Sequence, residues 1–169
     1  MERLTSVEKR LLALEERSHV VDILLLEAEY ARAWDFGTGE DWANVFTNDG
    51  IFELAGSPGV DPMPAAPVQR FVGRVALAAF RNAFSTEWSM QHQMHLPSVK
   101  VKGDRATSVV YFDCPVGAHA AGQRSMLQRE TGVYSVEYLR GPEGWRISRR
   151  IEYPTFRVAS HFLGQPRIL

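Results

Sequence analysis

His92, Asp35 and Tyr30 are the residues of this chain whose types best suit proton chemistry. An unperturbed imidazole titrates near neutrality, so a histidine in a pocket can take or give a proton at about pH 7. A single histidine is more often part of a core or a strand surface, and His92 has that ordinary reading too. Asp35 closes a long helical pattern, where the helix dipole disfavours a carboxylate unless something offsets it. It could open an Asx turn into the loop at Gly37, or hold the tautomer of an imidazole. Tyr30 lies four residues before Trp34, so both project from one helical face. Its phenol could donate to a leaving hydroxyl or an enolate oxygen, or simply fill the core. Trp34 reads as a pocket wall.

Other chemistries find less support. His95 stands three residues after His92. On a strand that spacing points the rings to opposite faces, and no third ligand presents itself, so no metal is expected. His119, in a stretch read as loop, and His161, in the C-terminal tail, both read as exposed. The single cysteine, Cys114, excludes an internal disulfide and a thiolate zinc site, and reads as a small buried hydrophobe.

The elements that must position these groups fit one domain. A chain of 169 residues can bury one sizeable core. Its 45% hydrophobic and 23% charged residues exclude a disordered chain. A net charge of −1, with basic residues scattered, gives no footprint for nucleic acid or an anionic membrane. Met1 to Arg10 lacks the apolar stretch of a signal peptide, and no apolar run reaches the roughly 18 residues of a membrane helix. The expectation is a cytoplasmic protein.

Leu4, Val7, Leu11 and Leu14, then Val20, Ile23, Leu24, Glu27, Tyr30, Ala31 and Trp34, give the first 35 residues helical periodicity with no Gly or Pro to interrupt it. A short helix is expected over Asp41–Phe46, a turn at Asn48-Asp49-Gly50 and a strand over Ile51–Leu54. Four prolines make Ser57–Pro67 a loop. Val68–Val72 reads as extended and Val75–Phe84 as helix. The texture then turns to sheet: a strand over Gln91–Val101, a tight turn at Gly103, and a strand over Arg105–Val116. A Gly117–Gln123 loop and a hairpin of Met126–Arg140 with Trp145–Tyr153 complete it. Helices first and long strands afterwards mean α+β. The expected architecture is a cone-shaped barrel, a curved antiparallel sheet around the long helix with a pocket between them. Residues 1–18 would form an N-terminal helical extension of the single domain and 154–169 a C-terminal tail.

Several segments resemble the SnoaL-like branch of the nuclear-transport-factor-2-like superfamily. They are Tyr30-Ala-Arg-Ala-Trp34-Asp35, Val45-Phe-Thr-Asn-Asp-Gly-Ile-Phe52, Phe71-Val-Gly-Arg74, Gln91-His92, Lys102-Gly-Asp-Arg-Ala-Thr107 and Gly132-Val-Tyr134 through Gly144-Trp-Arg-Ile147. They run in family order over nearly the whole chain. Within the branch the chain most resembles the bile acid 7α-dehydratases, then the scytalone dehydratases and hexachlorocyclohexane dehydrochlorinases, all cofactor-free lyases. The resemblance implies a catalytic His92 paired with Asp35, with Tyr30 assisting. The dehydratases' acidic partner on the next strand falls near Asp113 or Cys114, with Cys114 favoured. Scytalone dehydratase's two tyrosines fall on Trp34 and Leu54 and its second histidine near Val116, so those groups are missing here. The dehydrochlorinase arginine falls near Arg150.

The resulting expectation is a cofactor-independent dehydratase acting on a small apolar, carbonyl-bearing polycyclic or steroid-like molecule. Trp34, Phe52, Leu54, Phe112, Cys114 and Tyr134 would line its pocket, with few charges beyond Asp35 and Arg150. An isomerase or cyclase using the same pair is the alternative, as is a non-catalytic subunit like the β subunit of ring-hydroxylating dioxygenases. Both faces of the Arg105–Val116 strand are largely apolar, which points to a homo-oligomer, trimer or dimer.

Overall fold

The computed structural model of the chain describes residues 5–56, 67–84, 88–120 and 123–159, with 118–120, 123–127 and 156–159 as backbone only. Helix α1 (Ser6–Phe36) begins at a capping box in which Thr5 and Glu8 satisfy each other's backbone N–H groups. Its first half is mostly exposed, and only from Ile23 onward does one face become buried, through Ile23, Glu27, Tyr30 and Trp34. Gly37 stops it, and a second capping box, Thr38 with Asp41, starts the short α2 (Gly39–Ala43). Strands β1 (Phe46–Ala55) and β2 (Pro67–Val72) follow, then α3 (Gly73–Asn82).

The rest is sheet: β3 (Trp88–Met90), β4 (Gln93–Met94), β5 (Ser98–Lys102), β6 (Arg105–Ala120), β7 (Gln123–Gly141) and β8 (Gly144–Ala159). Their order is β2-β1-β8-β7-β6-β3, with β4 and β5 also paired to β6. Left-handed Gly103 and Gly144 sit in the two tight turns, where a side chain would be strained. The α+β cone is as expected, with one difference. The sheet is mixed, because β1 runs parallel to β8. A parallel neighbour is reached by a long crossover, here residues 56–143, rather than by a hairpin.

Three local readings are corrected. Asn48-Asp49-Gly50 lies inside β1, where the register against β8 shifts between Phe46 and Ile51, so the turn residues serve a bulge. The Gly117–Gln123 stretch is not a loop as far as it is described. Strands β6 and β7 stay paired out to Ala120 and Gln123, and the ladder overrides the weak strand preference of Gly and Ala. His119 therefore belongs to a strand backbone. Residues 154–159, expected in a tail, continue β8. The Ser57–Pro67 loop lies outside the described residues except for Pro67, and so does His161.

Alternation along β6 explains where the core sits. Ala106, Ser108, Val110, Phe112, Cys114 and Val116 turn inward, joined by Tyr134, Val136 and Tyr138 of β7. Aromatic rings from α1, α2, β1 and α3 close over them, with Trp42 in contact with Tyr30, Trp34, Phe46, Phe52 and Phe80. Gly132 makes room on β7. A Cβ there would come within 2.6 Å of the Phe112 ring, which instead stacks on Tyr134 at 4.4 Å.

Candidate active site

The expected unbroken strand over Gln91–Val101 is instead two short strands, β4 and β5, which with β3 just before them pair with β6 in turn. The break creates the site. Gln91 and His92 fall between β3 and β4, so the His92 N–H has no ladder partner to serve. It donates to Oδ2 of Asp35 at 2.7 Å, while His92 Nδ1 meets Oδ1 of the same carboxylate at 2.7 Å. One carboxylate thus fixes both the backbone and the ring. A carboxylate acceptor at Nδ1 favours the tautomer with the proton on Nδ1, and in that neutral tautomer Nε2 has the lone pair. The rings of Trp34 and Tyr30 stand edge-on to the imidazole at 5.9 and 6.4 Å and limit its rotation. Both side chains of the pair are more than nine-tenths buried.

Asp35 sits in the last turn of α1, the negative end of the helix dipole, with no basic residue in that turn. Arg81 of α3 supplies the missing charge. Its Nε donates to the Trp34 carbonyl at 2.8 Å and its Nη2 to that of Gly37 at 3.4 Å. Partial burial draws the Arg81 pKa below its ordinary value, and the Asp35 carboxylate pulls the other way. Arg81 was not foreseen, because nothing in the sequence ties α3 to the end of α1.

His92 lines a cavity of about 200 Å³. Trp34, Phe80 and Phe84 form its helical side, Phe52 and Leu54 its β1 side, and Phe112, Cys114, Val116 and Tyr134 its floor. An aromatic lining was expected. Its charge was not: Glu130 of β7 and Glu152 of β8 also line the cavity, whereas Arg150 is not among the lining residues. Strand alternation carries the missed signal, since Glu152 falls two residues after inward-facing Arg150.

Arg150 is fully buried behind the cavity, its guanidinium between the Tyr30 and Tyr134 rings at 3.7 and 3.8 Å. Its Nη1 donates to both oxygens of Glu27 at 2.9 Å. Tyr138 donates to Glu27 at 2.7 Å and shares a 2.6 Å hydrogen bond with Ser108. Burial works against the Arg150 charge, yet Glu27 and the surrounding phenols outweigh it and hold its pKa above the ordinary value. Burial likewise raises the Tyr30 pKa, so this phenol stays a proton donor at neutral pH.

Register settles the Asp113–Cys114 alternative. Cys114 faces the cavity, its Sγ 3.8 Å from His92 Nδ1. Burial, then the Asp35 charge, push its thiol up to about 12, so it is no thiolate nucleophile. Asp113 faces outward and pairs with Arg129. His95 is apart from the pair, its backbone N–H bonded to the Tyr111 carbonyl at 2.9 Å. Among the described residues no three His, Cys, Asp or Glu cluster as metal ligands, and no helix is long and apolar enough to cross a membrane.

Known proteins share this framework. An uncharacterized protein of Mycobacterium tuberculosis is 28% identical over 155 residues, covering 89% of this chain and 95% of that one. The solved structure of a hexachlorocyclohexane dehydrochlorinase (LinA, type 2) superposes with a TM-score of 0.68 at 15% identity, over 94% of this chain and 99% of that one. An NTF2-like protein with a cystatin-like fold from Novosphingobium aromaticivorans gives 0.63 at 25% identity, over 90% of each chain. Residues 14–151 match the SnoaL-like domain, and the chain belongs to that family.

Proposed function

We propose that this protein is a cofactor-independent lyase that eliminates water, or a comparable leaving group, β to a carbonyl. The carrying observation is the double hold of Asp35 on His92 at the wall of an aromatic cavity. In the proposed step His92 Nε2 takes the acidic proton α to the carbonyl, and the electron pair left on carbon becomes an enolate. Tyr30, as a protonated phenol, donates to the oxygen where charge builds. The enolate re-forms the carbonyl and expels the β substituent with its bonding pair. The imidazolium, stabilised by Asp35, returns the proton to the departing hydroxide as water. Positioned proton transfer contributes about 10²–10⁴-fold and one oxyanion donor about 10²–10³-fold, enough for a substrate whose proton is already acidic.

The cavity narrows the substrate. A void of about 150 Å³ accepts benzene, so the 200 Å³ bounded by the described residues suits one or two rings rather than a steroid. The likeness in fold to a dehydrochlorinase supports elimination over hydrolysis. A panel of one- and two-ring β-hydroxy and β-halo ketones, followed by the absorbance of the conjugated product, tests the reading. Turnover to the unsaturated ketone is expected. Binding without elimination, and without exchange of the α proton in D2O, would contradict it.

A further inference from the structure

The first half of α1 presents an apolar seam that its own domain does not cover. Val7, Leu11, Leu14, Val21 and Leu25 are each at least half exposed, and Ser18 between them is exposed too. Their spacing alternates four and three residues, the a/d pattern of a coiled coil, with Leu11, Ser18 and Leu25 at a and Val7, Leu14 and Val21 at d. Isolated surface apolar residues need no explanation, but five in one heptad row do.

In the same frame Ile23, Glu27, Tyr30 and Trp34, the large side chains of α1 buried in the domain, fall at c and f, and the small buried Ala31 and Ala33 lie beyond the seam's end. The c and f positions point away from a coiled-coil partner. A partner helix can therefore lie along the seam while each domain stays on the far side of its own helix. The seam ends before the active-site turn, since the next a position is the exposed Arg32, already paired with Glu29.

The flanking charges specify the partner. The e positions are Glu8, Glu15 and Asp22, and the first two g positions are Arg10 and Arg17. In a parallel pair of identical helices g meets the following e of the partner, which sets Arg10 against Glu15 and Arg17 against Asp22. An antiparallel pair would set e against e and g against g, acid against acid and base against base. The row is thus complementary to itself in one orientation only.

We propose that α1 is the assembly element of this protein: copies of the chain associate through a parallel coiled coil along Val7–Leu25. Leu at a with Val at two of the three d positions leans toward more than two strands. The proposal is independent of the chemistry assigned to His92.

Sedimentation equilibrium of the full chain at micromolar concentration is the test. Wild type should sediment as two or more chains of 19.1 kDa, and Leu11→Glu/Leu14→Glu as one. These side chains are exposed in the protomer, so circular dichroism and the melting curve measured under dissociating conditions should stay as in wild type. Arg10→Glu/Arg17→Glu should weaken association at least tenfold, and adding Glu15→Arg/Asp22→Arg to the same chain should restore it. Val7→Cys should form an interchain disulfide on oxidation, because parallel pairing places the two residues opposite each other. A monomeric wild type, an assembly indifferent to Leu11→Glu/Leu14→Glu, or a charge swap that fails to restore association would each overturn the proposal.

Discussion

Glu27 and Asp35 lie about two turns apart on α1, and both reach across to a cationic or cationisable group on the sheet side. Glu27 meets Arg150 in a closed setting: both oxygens are bonded, two aromatic rings clamp the guanidinium, and Tyr138 and Ser108 complete the network. Asp35 meets His92 in an open one, on the wall of a cavity, with a nitrogen lone pair left over. Similar ingredients thus serve two ends. A permanent charge buried between two rings and ion-paired through Nη1 is a structural clamp, even with its Nε and Nη2 unbonded among the described residues, and a switchable base beside empty space is a candidate for chemistry.

Removing one partner of the closed pair should have the largest effect on stability. Arg150→Met leaves Glu27 buried without compensation, a loss of about 3–5 kcal/mol. At about 2–4 °C per kcal/mol for a domain of this size, the melting temperature should fall by roughly 6–20 °C. The double replacement Glu27→Leu/Arg150→Met should recover much of that loss, since apolar packing often matches a buried ion pair. If Arg150→Met melts like wild type, the two regions do not differ as described.

The open pair should show the reverse pattern. Asp35→Asn keeps the shape but can turn its amide toward His92 Nδ1, favouring the tautomer with the proton on Nε2. Turnover should fall at least about tenfold with a smaller loss of stability than at Arg150, measured by kcat beside a denaturant curve.

Cys114 sharpens the contrast through pH. Its thiol ionises near 8.5 in an unfolded chain but is pushed up to about 12 in the fold. Between those values the unfolded state has lost a proton that the folded state keeps. Its contribution is therefore complete below the lower value and declines as pH rises toward the upper one. Cys114→Ala should flatten the alkaline side of the stability profile by up to about 1.4 kcal/mol per pH unit. The smallest effect belongs to the outer face of the same strand. Asp113→Asn, which breaks a pair with a mostly exposed Arg129, should cost no more than about 1 kcal/mol and leave turnover unchanged.

Much of this contrast was legible in the sequence. Period 3.6 along α1 and period 2 along β6 place Tyr30, Trp34, Phe112 and Cys114 on inward faces, and the family resemblance pairs Asp35 with His92. Glu27 stood in an otherwise apolar stripe, a sign that a buried charge needed a partner. What the sequence hid depends on contacts between distant segments. The broken strand at Gln91–His92 follows from the capture of an N–H by a carboxylate 57 residues away. Arg150 could not be assigned to clamp or cavity until its two flanking rings were in place. Glu130 and Glu152 became cavity residues only once the inward face of β7 and β8 was fixed.

The most direct measurement is kcat for His92→Ala beside wild type, on whichever ketone of the panel turns over fastest. If His92 is the base, kcat falls about 10²–10⁴-fold while substrate binding and the melting temperature change little. A variant that keeps kcat within about twofold of wild type (under about 0.5 kcal/mol in barrier) would show that the Asp35–His92 pair is as structural as Glu27 and Arg150.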